Sequence, residues 1–121
     1  HLTAGTGVSL SGTTNVTISS SGTPTLLNYT TSNATVTLGG TSGETVAFNQ
    51  SGTKATTINL PTEVANLRKC IKDAGNDFNA NSPTVKATGT IDSVAGATGK
   101  AMNQTKQELC FLSDGTNWVI E

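Results

Sequence analysis

Charge is scarce in this chain. Of 121 residues, 7 are basic and 8 acidic, for a formal net charge of −1. Gripping a nucleic-acid backbone takes a basic stripe that neutralises phosphates; none is present, and no nucleic-acid partner is expected. Long apolar runs are missing too. Nothing approaches the ~20 residues of a membrane-spanning helix, so membrane insertion is not expected. No heptad or sustained helical period occurs, which argues against a helical bundle. The single histidine, His1, and two cysteines 40 residues apart, Cys70 and Cys110, leave a zinc site without ligands. A nucleophile–histidine pair would have to use His1 at the terminus. Leu, Ile, Val and Phe together number 25, about a fifth of the chain, so any core is small.

Nearly half of the chain is built from a few small or polar residue types. Thr (23), Gly (13), Asn (11) and Ser (11) sum to 58 residues. β-Branched Thr favours strands, and Gly, Asn and Ser favour the turns between them. The charges are unevenly spread. Residues 1–60 hold only Glu44 and Lys54, and the other thirteen lie in 61–121. The change falls at Leu60-Pro61 and divides the chain into a neutral Thr-rich part and a more ordinary small domain. The start at His1-Leu2 reads as a processed or cut end, with a further N-terminal part expected to hold the anchor.

Short apolar alternations run through the sequence: Val8/Leu10, Val16/Ile18, Leu27/Tyr29, Val36/Leu38, Val46/Phe48 and Ile58/Leu60. Period two with Gly- and Asn-rich punctuation predicts strands of four to six residues. A loop or single helical turn is expected over 62–66 and a strand over 67–72. Asp73-Ala74-Gly75-Asn76-Asp77 reads as a turn. Residues 85–91 and Val94 form one or two strands broken at Gly89, and 95–99 form a loop. Leu109-Cys110-Phe111-Leu112 is apolar on both faces and predicts an interior strand. Asp114-Gly115 turns the chain, and Trp118-Val119-Ile120 closes the last strand. Leu109, Phe111, Leu112, Trp118 and Ile120 are the expected core. Cys70 and Cys110, beside apolar neighbours, read as small buried hydrophobes, with a disulfide between them left open.

Candidate sites are few. Asp73, Asp77 and Asn79 form an oxygen-rich turn that could hold calcium, against the plainer reading of turn geometry. Asp73, Asp77, Asp92, Glu108 and Asp114 are the acids available for a paired-carboxylate mechanism, but no spacing selects a pair, and no catalytic residue, cofactor or enzyme activity is expected. Tyr29, the only Tyr, is the candidate ligand contact, while Trp118 is assigned to the core. Five sequons occur, at Asn15, Asn28, Asn33, Asn49 and Asn103, against about three that this composition produces by chance, and they are discounted because glycosylation needs a eukaryotic secretory route.

The strings Thr57-Ile58-Asn59-Leu60-Pro61, Ile71-Lys72-Asp73-Ala74-Gly75-Asn76, Gly89-Thr90-Ile91-Asp92 and Leu112-Ser113-Asp114-Gly115-Thr116-Asn117-Trp118-Val119-Ile120 resemble a small β-domain. It is found at the C-termini of bacteriophage tail fibres and other virion fibre proteins. Leu2 to Leu10 is similar to fibre stalk segments. The resemblance implies a homotrimer at the distal end of a fibre, exposed on the virion and assembled in the host cytoplasm. Its implied partners are itself, other virion proteins through an N-terminal part, and a host cell-surface polysaccharide or protein. The Cys and the charges of 63–72, and Cys110, depart from the pattern. The expected fold is all-β: a short-stranded β-sandwich or jelly-roll-like tip after a Thr/Gly-rich stalk. Its parts are residues 1–22, 23–60 and 61–121, the last two able to pack as one. The sparse apolar strands independently favour self-association, since a small core barely offsets chain entropy. A head fibre or capsid decoration protein and a bacterial surface adhesin are the alternatives.

Overall fold

The structure is a computed structural model that describes residues 8–11, 17–20, 25–29 and 34–121; for 8–11, 17–20 and Tyr29 the backbone alone is described. It is nearly all β. Strands β1 (Val8–Ser11) and β2 (Thr17–Ser20) pair antiparallel, with Leu10 opposite Ile18. The chain then runs through β3 (Thr25–Tyr29), β4 (Thr35–Thr37), β5 (Glu44–Phe48), β6 (Thr57–Asn59), β7 (Arg68–Asp73) and β8 (Thr84–Lys86). These six strands alternate between two sheets. The odd ones stack in parallel in the order β3-β5-β7, and the even ones in the order β4-β6-β8.

This is a solenoid-like coil of three turns. Parallel neighbours need a long crossover between them, and here the crossover is the strand in the other sheet. Successive turns place like on like. Leu27, Val46 and Ile71 stack in one sheet; Val36, Ile58 and Val85 stack in the other. One core holds side chains of both sheets, including Val36, Phe48, Ile58, Ile71 and Val85 with Phe78, Phe111 and Trp118. The sequence led to an expected sandwich or jelly roll, whose neighbours are mostly antiparallel. The observed arrangement is different because each reversal carries the chain across to the opposite sheet.

Past β8 the pattern changes. Strands β9 (Thr90–Ile91), β10 (Val94–Ala95), β11 (Lys100–Ala101), β12 (Glu108–Ser113) and β13 (Trp118–Ile120) follow. β12 lies antiparallel on β7, and β11 lies antiparallel on β8, so both stacks stop at the third turn. β13, β9 and β10 extend the first sheet to seven strands. A short helix, α1 (Phe78–Asn81), follows the turn at 73–77. It was not expected from the sequence because its own capping residue, Asp77, makes no side-chain cap. The buried Asp73 carboxylate accepts the Asp77 and Phe78 N–H groups instead.

The two charged residues of the neutral half both reach into the other half. Glu44 pairs with Lys69, which is fully buried on the inner face of β7. Lys54 lies 3.3 Å from Asp77. Leu60 and Pro61 are themselves buried within the coil. Residues 34–60 and 61–121 therefore share sheets, core and ion pairs.

Candidate functional site

The last of the strings that carry the resemblance, Leu112 to Ile120, is occupied with closing the coil. The Asp114 carboxylate accepts the N–H groups of Thr116 and Asn117 at 2.9 and 2.8 Å. Those donors hold its carboxyl below the usual carboxylate range. Asn117 accepts from the Thr90 N–H and hydroxyl, tying the turn to β9. Gly89 passes so close to the turn that a Cβ there would sit 2.1 Å from the Thr116 carbonyl oxygen. Gly96 is packed in the same way on the carbonyls of Gly89 and Ala87. Asp92 and Ser93 both take positive φ between β9 and β10, and the Asp92 side chain accepts the Ile120 N–H.

Trp118 and Phe111 are fully buried, and Leu109 and Ile120 pack at the margin of the core. Leu112 projects from the opposite face and stays partly exposed, as does Cys110. The strand is interior to the sheet, but its second face is left uncovered. The Trp118 indole N–H is buried and has no hydrogen-bond partner among the described residues.

Cys70 and Cys110 face each other across β7 and β12 and form a disulfide, with Cα atoms 4.0 Å apart. The pairing was left open by the sequence because 40 residues separate the two. Glu108 lies beside them, and its carboxylate with the two sulfurs falls within 4.8 Å. With the sulfurs bonded to each other, no thiolate is left there to ligate a metal.

The oxygen-rich turn is differently committed. Both Asp73 oxygens accept backbone N–H groups, from Asp77, Phe78 and Lys106. A carboxylate ringed by donors offers a cation little. Asp77 faces Lys54, and Asn79 is exposed. Tyr29 is the last residue of β3, opposite Phe48; its side chain lies outside the described residues.

A feature not anticipated from the sequence lies on the outer face of the four-stranded sheet. Around the inward Val36, Ile58 and Val85, two rows cross the strands: Thr35, Thr57 and Thr84, and then Thr37, Asn59 and Lys86. Neighbours in each row are about 4.8 Å apart by strand spacing. At the second row a groove of about 340 Å³ opens, lined by Thr37, Asn59, Leu60, Pro61, Thr62, Ala87 and Thr88. The legible signal was the recurring triplet Thr-Val-Thr, Thr-Ile-Asn, Thr-Val-Lys, each with its apolar residue in the middle.

No protein-family model matches the sequence, and no curated protein matches it.

Proposed function

We propose that this chain is the C-terminal, trimeric part of a phage virion fibre that attaches to the host cell surface. The observation that carries the self-association is apolar surface left uncovered in a single copy. Leu26 and Leu27 on β3 are 62% and 45% exposed, Val119 is 46% exposed, and Leu112 is half-buried on the same outer face as Val119. These are two separate areas, one at the β3 edge and one on the outer face of β12 and β13, and exposed apolar surface of this kind is where interaction sites form. The tip position is supported by the cap, where the Asp114–Asn117 turn and the Gly89–Asp92 string of the resemblance tie the last strands together. The disulfide fits a protein that works outside a reducing cytosol.

The proposed role is attachment and not catalysis. Asp73, Asp92 and Asp114 are held by backbone donors and Asp77 by Lys54. Binding by shallow contacts gains from three copies and from many fibres per particle. Light scattering of the purified chain should give about three times 12.3 kDa. The assembled protein should adsorb to susceptible cells and compete with intact virions. A monomer would remove the fibre reading. A trimer that neither adsorbs nor competes would favour a head fibre or decoration protein whose cap only registers three chains.

A further inference from the structure

We propose that the groove on the four-stranded sheet is a binding site for a neutral oligosaccharide. The inference rests on the attachment reading and gives it a place and a ligand class. The groove's volume, about 340 Å³, falls within the range of small-ligand sites. Its polar lining is three hydroxyls and one carboxamide, from Thr37, Thr62, Thr88 and Asn59. Each of these groups both donates and accepts hydrogen bonds, as a sugar hydroxyl does. Thr37, Thr62 and Thr88 are exposed and Asn59 half-exposed, so the groups are available to a ligand.

The floor has the complementary character. Leu60 and Pro61 are buried beneath the polar rim, and Ala87 lies beside them. Of these, Ala87 is half-buried and is the one that leaves apolar surface for the C–H face of a sugar ring. Among the described residues no charged side chain lines the groove. Lys86 continues the row of Thr37 and Asn59 one strand further but lies outside the lining. An anionic ligand would thus find no counter-charge in the groove itself. An extended peptide would add along the outer edge of β4, which no other described strand covers, whereas the groove runs across the sheet face from Thr37 past Asn59 to Thr88.

The rim is also held in place by the coil. The Leu38 N–H donates to Asn59 O at 2.9 Å, and the Leu60 N–H donates to Lys86 O at 2.8 Å. Three successive turns thereby fix the rim where they leave the sheet, so little ordering cost remains on binding. Asn59 Nδ2 lies 3.5 Å from Thr37 Oγ1, a long contact that a ligand hydroxyl can replace.

The test uses the assembled wild-type protein, isotope-labelled. It is titrated with a panel of neutral hexose and N-acetylhexosamine oligosaccharides, with sialyllactose as the charged control. Amide shifts should cluster at Thr37, Asn59, Thr62, Ala87 and Thr88. Asn59→Ala and Thr88→Ala should each weaken binding about fivefold to tenfold while leaving the melting temperature and the mass unchanged. The proposal is overturned if no member of the panel shifts these amides, if the shifts map elsewhere, or if sialyllactose binds more tightly than the neutral sugars. Cell adsorption separates the two levels. Wild-type adsorption that survives Asn59→Ala and Thr88→Ala together keeps the attachment reading and removes the groove. Absence of wild-type adsorption removes the attachment reading, whatever the groove binds.

Discussion

At one end of the coil stands β3, five residues long, with Leu26 and Leu27 exposed and no strand on its outer edge among the described residues. At the other end the final edges are β10 and β11, two residues each. Short edge strands offer little template for further pairing, and long apolar ones offer much. The difference extends to the chemistry. Side-chain to backbone bonds from Asp73, Asp92, Asp114, Asn117 and Glu63 crowd the capped end, and a disulfide crosses it. The capped end is finished by local bonds within one chain, whereas the β3 end leaves surface that another polypeptide segment can cover. A parallel stack has no intrinsic stopping point, so the stop has to be built, and the carboxylates of Glu63, Asp73, Asp92 and Asp114 are spent there.

The contrast can be broken most forcefully at Trp118. Trp118→Ala removes the largest fully buried side chain and should cost about 3–5 kcal/mol, read as a lower urea midpoint and loss of soluble assembled protein. An unchanged midpoint would mean that the cap does not depend on this core. The covalent tie comes next. Replacing Cys70 and Cys110 together by Ala should cost about 2–4 kcal/mol, and the variant should lose the wild type's sensitivity to dithiothreitol in thermal melts.

Two glycines sharpen the same comparison. Gly89→Ala should cost about 1–3 kcal/mol, because its Cβ meets a backbone carbonyl that is itself part of the Asp114 turn. Gly40 has nothing within 4 Å of an added Cβ, and Gly40→Ala should be neutral or stabilising by up to about 1 kcal/mol. Equal effects at the two positions would contradict the picture of a tight cap and an open flank. At β3, Leu26→Asp should change the unfolding of a single chain by no more than about 0.5 kcal/mol, yet lower the mass measured by light scattering.

The smallest effect concerns protons. The folded state holds the Asp114 carboxyl below its ordinary value through the N–H groups of Asn117 and Thr116. Its contribution is therefore present above the unfolded value and is lost as pH falls through the folded one. Wild type should melt slightly above Asp114→Asn at neutral pH, and the gap should close as the pH drops below about 4. A gap that widens in acid would reverse the sign.

Strand positions were legible because period-two alternation survives in a window of a few residues. Val46/Phe48 and Ile58/Leu60 both mark strands that the structure contains. The parallel stacking was not legible. Leu27 to Val46 is 19 residues and Val46 to Ile71 is 25, while Val36 to Ile58 is 22 and Ile58 to Val85 is 27. Insertions of unequal length, such as the turn and helix at 73–81, hide the repeat. The helix itself depends on Asp73 reaching Asp77 and Phe78, a contact that local propensity does not reveal. The groove was illegible for the same reason as the stack, since Thr37, Asn59 and Thr88 become neighbours only when three turns align.

The disulfide has a mechanical consequence. It joins residues 70 and 110 and so closes off the third turn's β8, the helix and three strands of the cap from any load that travels along the backbone. Tension applied to the two ends passes through the sulfur bridge and bypasses that 40-residue segment. An oxidised chain stretched to its limit should stop roughly 130 Å short of a reduced one.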